Sequence, residues 1–245
     1  INNICEHLNR CDMSVERTKR MFENSGTVKF CGSVISNAGE PDIKWEQIKA
    51  LNDEALALTE IYGDMYIPGF HVHPAYTDES LAEIERMSGL GVKIVGELVP
   101  YMHGWLPEDL LSDGFSAILE SAAAHGMIVS LHTCGDDYMD IMVRCHPDTV
   151  FVAAHPGERA QFERHLARMK MSDNYYLDIS GTGILRYGLL RHGIDECGKE
   201  KFLFGSDFPI CNPFAYIGCV ANDDQLTDEE KRAIFSENAK RLLKL

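Results

Sequence analysis

The sequence predicts an α/β fold of the (β/α)8 TIM-barrel type. Three observations carry that expectation. Short apolar runs alternate with amphipathic stretches through about eight rounds, the pattern of strand–helix repeats. The 245 residues suit a single barrel-sized domain spanning 1–245, with no Ser/Gly linker or low-complexity tract to divide it. Three of the apolar runs stop on a histidine or an aspartate, polar groups at the strand ends where parallel barrels place their chemistry. An open doubly wound sheet is the alternative, but no Gly-x-Gly-x-x-Gly follows the first run.

Taken in order, Ile1 to Leu8 reads as a first, weak strand. Ser14 to Asn24 reads as a helix, stopped by Gly26. Val28 to Ile35 is a second strand. Asp42 to Tyr62 is a long helix with Ile43, Ile48, Leu51, Ala55, Leu58 and Ile61 on one face. Met65 to Val72 is the third strand, and Thr77 to Ser88 a helix opening on a Thr-Asp-Glu start signal. Val92 to Val99 is the fourth strand, followed by a helix from Asp109 to His125 that ends at Gly126. Met127 to Leu131 is the fifth, ending in His132, and Thr149 to Ala154 the sixth, ending in His155. Tyr175 to Ile179 is the seventh, and Phe202 to Gly205 the eighth. Asp207 and Pro209 follow it, and the proline stops the strand. A last helix runs from Thr227 to Leu243.

Bulk properties exclude some classes of function. Lys and Arg number 23 against 38 Asp and Glu, a formal net charge of -15, which repels a nucleic-acid backbone. The eight cysteines form no Cys-x-x-Cys, and no apolar run has transmembrane length. The expectation is a cytoplasmic protein with reduced thiols, no membrane and no nucleic-acid partner.

His132, His155 and Asp207 each follow a buried strand, so a barrel aims them into one bowl. Imidazole nitrogen with carboxylate oxygen suits zinc or another divalent first-row ion. Glu97 lies inside the fourth strand, where an unpaired carboxylate is rare. Two readings stay open for it: a bridge to a second metal, or a pair with Lys93. His71 and His73 form a His-x-His on one face of the third strand. Only five strands follow, so the pair is expected to line the substrate mouth. His103 and Trp105 are read either as substrate contacts or as surface-loop residues. Asp178 and the Gly181-Thr182-Gly183 turn are further substrate contacts, or a turn requirement alone. Arg159 and Arg186 are candidates for pairing with a substrate carboxylate. Cys134 and Cys211 are expected at the rim.

Together, Phe204-Gly205-Ser206-Asp207-Phe208-Pro209, Leu131-His132-Thr133, Ala154-His155-Pro156-Gly157 and Glu237-Asn238-Ala239-Lys240-Arg241-Leu242-Leu243 resemble the amidohydrolase superfamily. The nearest branch is the amidohydrolase-2 group, which includes aminocarboxymuconate-semialdehyde and resorcylate decarboxylases. The resemblance spans nearly the whole chain and is most specific from His132 onward. It implies a metal-dependent barrel enzyme acting on a small carboxylate, lactone or amide, with His132 and Asp207 as metal ligands. By it His155 is a second ligand or a catalytic group beside the metal, and Asp207 also a general base. It also implies a homodimer as one oligomeric state. The TatD-like deoxyribonucleases resemble the chain at Glu97 and at His73-Pro74, and rank second because of the net charge. Both branches carry His-x-His on the first strand, where this chain has Cys5 and His7. His7 matches the second histidine. Cys5 replaces the first, either as a thiolate ligand or as the mark of a degenerate barrel that binds a ligand without chemistry.

Overall fold

The computed structural model describes residues 14–35 and 42–245. The strand expected at residues 1–8, with Cys5 and His7, lies outside them.

Within the described residues seven strands form one parallel sheet: β1 (Phe30–Gly32), β2 (Tyr66–Phe70), β3 (Ile94–Leu98), β4 (Ile128–His132), β5 (Val150–Ala154), β6 (Tyr175–Asp178) and β7 (Phe202–Leu203). They are ordered in space as in sequence. Each connection carries helix, as a parallel crossover requires. The helices are α1 (Val15–Ser25), α2 (Trp45–Tyr62), α3 (Thr77–Gly89), α4 (Asp113–Ala124), α5 (Asp136–Cys145), α6 (Arg159–Met171), α7 (Leu189–Cys197) and α8 (Pro213–Ala221). A final helical stretch runs from Asp228 through a π-turn at Ala233–Glu237 to Leu243. This is the α/β barrel architecture that the sequence predicts. No helix of the described residues is long and apolar enough to cross a membrane.

Alternation along the strands divides the core. One set of faces, including Phe70, Val95, Val129, Leu131, Phe151, Ala153 and Leu177, packs outward under the helices. The opposite faces supply Ile67, Ile94, Ile128, Val150 and Val152, which pack with Leu242 and Leu243 of the final helix. That apolar plug closes the amino-terminal end of the sheet, where Lys93 Nζ donates to Leu243 O at 3.4 Å. The same inner faces end in polar groups towards their carboxyl ends. Ile128 leads through Ser130 to His132, and Tyr176 leads to Asp178. Register keeps these ends level: His132 pairs with Ala154, and Asp178 with Leu203.

Several boundaries differ from the sequence reading for local reasons. The second predicted strand, Val28 to Ile35, shortens to three residues. The eighth keeps two of its four. The helix expected from Asp109 divides: a 3-10 turn spans Pro107–Leu111, then Ser112 caps α4 by accepting from Phe115 N at 3.1 Å. Thr77 is not a cap, because its hydroxyl donates to Pro74 O, the opening residue of a 3-10 turn. At Thr227 the capping box forms with Glu230.

Candidate active site

The carboxyl ends of β3 to β7 gather Glu97, His132, His155, Asp178 and Asp207. Glu97 owes its position to a break in register. Val95 pairs with Val129 but Leu98 with Leu131, so β3 carries one residue more than β4 between them. A bulge of this kind re-aims a side chain, and here Val95 and Leu98 both stay in the outer core while Glu97 turns to the bowl. Its Oε1 lies 3.9 Å from His155 Nε2. The His132 and His155 rings meet edge to face at 4.9 Å, and the Tyr101 ring meets that of His132 edge to face at 5.1 Å.

His155 is held on both sides of its backbone and ring. Its N–H donates to Asp178 Oδ1 at 3.2 Å, and its Nδ1 is 2.9 Å from Ser180 Oγ. Ser180 hydrogen-bonds Asp178 Oδ1 through both N–H (2.9 Å) and Oγ (2.5 Å). Gly181 packs against the ring; a Cβ there would come within 2.3 Å of His155 Nδ1. Asp207 accepts from Cys211 Sγ at 3.8 Å. His155 and Asp207 adopt positive φ, 70° and 56°, a conformation shared among described non-glycine residues only with Lys244. The left-handed region costs an ordinary residue about 1–2 kcal/mol, and such outliers cluster at working sites.

The electrostatics follow from crowding three carboxylates in a partly buried bowl. Burial pushes Glu97 up to about 8, and the charges of Asp178 and Asp207 push the same way. Burial also raises Asp207, against the pull of His155 and with the push of Asp178. His132 is lowered, first by burial and then by His155. Glu97 is therefore an acid at neutral pH in protein free of metal. The folded state holds its proton more tightly than the unfolded chain. The associated stability is full below pH about 4.5, the unfolded carboxyl, and is lost as pH rises through the folded value near 8. Glu97→Gln removes that cost, and we expect it to raise the stability of chelator-treated protein at neutral pH by about 3 kcal/mol. Denaturant melts of the two proteins check it; an unchanged or lowered midpoint contradicts the assignment.

The other sequence candidates fall elsewhere. Lys93 is at the far end of β3, four residues from Glu97, too far along an extended strand to pair with it. His71, His73 and His103 form a buried cluster, with 0%, 8% and 1% of their surfaces exposed. His71 Nε2 donates to Val34 O and His73 Nε2 to His103 O. The His71 and His103 rings are 5.0 Å apart. Trp105, buried beside His73, and His103 are not the surface-loop residues of one sequence reading, because the loop after β3 folds inward and packs on Phe115. Arg159 is exposed on α6 and lines a groove of about 310 Å³ with Phe162, Arg186 and Tyr187, outside the bowl. Arg186 pairs with Glu158 and donates to Gly157 O at 2.6 Å. Cys134 is half-buried. Ser180 and Tyr101 escaped the sequence reading. The spacing Asp178-x-Ser180, a second polar residue two positions beyond the last residue of β6, is the signal that could have found Ser180.

Among the described residues, no three His, Cys, Asp or Glu close into a set that could hold an ion. The donor chemistry nevertheless fits a divalent cation: two imidazoles and three carboxylates converge, and Glu97 is raised far above its ordinary range first by burial and then by the neighbouring charges of Asp178 and Asp207.

A parallel barrel with an acid–imidazole bowl at its strand ends is an enzyme scaffold. The family profile described as amidohydrolase matches residues 7–245, and the chain belongs to that family. It is an enzyme of the amidohydrolase type. No curated protein matches the sequence. Solved structures share the fold. A 2,6-dihydroxybenzoate decarboxylase from Rhizobium is 15% identical with a TM-score of 0.74, over 95% of this chain and 88% of that one. A dihydroxybenzoic acid decarboxylase from Polaromonas, with bound manganese and the inhibitor 2-nitroresorcinol, is 15% identical with a TM-score of 0.72, over 96% and 86%. A candidate 2-pyrone-4,6-dicarboxylic acid hydrolase from Acinetobacter baumannii, with citric acid bound, is 14% identical with a TM-score of 0.69, over 96% and 90%.

Proposed function

We propose that the protein is a divalent-metal-dependent hydrolase or decarboxylase acting on a small carboxylate, lactone or amide. The observation that carries this reading is the convergence of Glu97, His132, His155, Asp178 and Asp207 on one bowl. The substrates and inhibitor of the fold neighbours, small aromatic acids and phenols, favour an aromatic carboxylate or its lactone among these. His132 and Asp207 would hold the ion, with His155 or Glu97 beside them and the first-strand residues Cys5 and His7 as further donors. Zinc is the first expectation from the donor types, with manganese as the alternative. Bound there, a divalent ion supplies Lewis-acid polarisation of a substrate oxygen.

The chain's own groups supply the proton transfers. Asp207, at the rim of β7, takes the proton of an attacking water in hydrolysis. Glu97, placed 3.9 Å from His155, is the group positioned to pass a proton to a leaving oxygen or to the carbon that loses carbon dioxide. His155, 3.9 Å from Glu97, stabilises or relays charge between them.

The test is elemental analysis of the wild type and His132→Ala, joined to a turnover screen over hydroxybenzoates, lactones and amides. One tight divalent ion per wild-type chain, reduced in His132→Ala, is expected. Equal metal content in the two proteins would remove His132 from the ligand set. No metal and no turnover would favour a degenerate, ligand-binding barrel.

A further inference from the structure

We infer that Ser180 is a positioning residue that decides which nitrogen of His155 carries the proton. It holds Nδ1–H and leaves the Nε2 lone pair facing the bowl. The inference rests on the reading that His155 works in the site, but its own support is hydrogen-bond accounting around one oxygen. Asp178 Oδ1 receives two backbone N–H groups, from His155 at 3.2 Å and Ser180 at 2.9 Å. Backbone N–H can only donate, so Oδ1 is an acceptor. The 2.5 Å contact between Oδ1 and Ser180 Oγ must then contain the hydroxyl hydrogen of Ser180. A serine hydroxyl has one hydrogen. With it spent on Asp178, Ser180 Oγ offers only lone pairs to His155 Nδ1, 2.9 Å away. Nδ1 must therefore donate, and in a neutral imidazole that leaves Nε2 unprotonated.

The packing makes this arrangement hard to escape. Ser180 is 3% exposed, so no solvent replaces its hydroxyl. Gly181, at φ 59°, lies so close to the ring that any side chain there would collide with Nδ1. Tyr216 Oη donates to Gly181 O at 2.5 Å and pins the turn from the other side. Ring reversal would bring Cδ2 to Ser180 and lose the bond. The side chain that faces Glu97 is thus presented as a base at Nε2 rather than as an N–H donor. A relay of Asp178, Ser180 and His155 does for this bowl what a carboxylate bonded directly to imidazole does in other enzymes: it sets tautomer and orientation without touching substrate.

The experiment uses full-length protein as purified, labelled with 15N in the histidine rings, at a pH above the ordinary histidine range. Resonances of His155 are identified by their disappearance in His155→Asn. In the wild type the protonated nitrogen is expected to be Nδ1 and the bare one Nε2. Ser180→Ala is expected to populate the opposite tautomer and lower kcat about 10- to 100-fold with KM little changed. Ser180→Thr keeps a hydroxyl and is expected to restore both the wild-type pattern and most of the rate. A wild-type spectrum with the proton on Nε2, or a Ser180→Ala spectrum identical to wild type, overturns the inference. Turnover by His155→Asn tests the separate premise that His155 is used: if that variant keeps its rate, the catalytic role of His155 falls, whatever the tautomer.

Discussion

Asp207→Asn is expected to fold like the wild type and to lose turnover by about 10²–10⁴-fold. The backbone at Asp207 has φ 56°, and asparagine is, with aspartate, among the side chains that best tolerate the left-handed region. Asparagine also keeps the size and one acceptor oxygen, so the Cys211 contact and the turn into Pro209 survive. What it removes is the negative charge and the lone pair that receives a proton. Loss of base action accounts for the stated range, and weaker metal binding adds to it. Melting temperature and turnover are measured together. An Asp207→Asn protein with near wild-type turnover would reduce Asp207 to a turn residue and remove the end of β7 from the mechanism. A protein that loses both activity and its melting transition would point to structure instead, and Asp207→Glu, which keeps the charge but displaces it, would show no partial recovery in that case.

How much of this was legible in the sequence depends on whether the information is local. The apolar runs at β4 and β5 and the histidines that end them are local features, and the strand-end logic that joined His132, His155 and Asp207 is realised in the structure for the His132–His155 pair. The bulge that turns Glu97 is not local. It is a mismatch between β3 and β4, visible only when Leu98 is found opposite Leu131. For the same reason Lys93 seemed a partner for Glu97: adjacency in sequence hides the length of an extended strand. His103 and Trp105 were read partly as surface-loop residues because they follow the fourth strand, but the loop folds back on the outer core, where Trp105 meets Phe115. Ser180 was missed because a serine two residues after an aspartate is common, and only the third partner, His155, gives it a function. That partner lies 25 positions away in sequence.

Acidification from pH 7 to pH 5 is expected to cost the protein about 3 kcal/mol of stability, with an origin outside the bowl at the strand ends. His71, His103 and His165 have 0%, 1% and 0% of their surfaces exposed. Burial pushes His71 down to about 4, its bond to Val34 O only partly opposing. Burial, and then the neighbouring His71 and His73, push His103 down to about 3. Burial and the adjacent Arg168 guanidinium push His165 down to about 3, with Asp136 pulling the other way. In each case the unfolded histidine, near 6.5, binds a proton before the folded one does. These groups therefore cost nothing above pH about 6.5, and stability is lost as pH falls from there towards the folded values. At pH 5 the loss is about 2 kcal/mol for each histidine. Glu97 works in the opposite direction, since its proton is already bound in the folded state, and it returns about 2–3 kcal/mol over the same interval. Relief of self-repulsion, as the net charge of -15 shrinks, adds to that return. A fall in stability can thus appear only if the buried histidines outweigh both. Denaturant midpoints of chelator-treated protein across this range measure the sum, and Glu97→Gln, which deletes the opposing carboxyl, should steepen the decline. A midpoint that stays level or rises from pH 7 to pH 5 in the Glu97→Gln protein would mean that the three histidines accept protons in the folded state at ordinary cost, and that the cluster behind β2 and β3 is open to water.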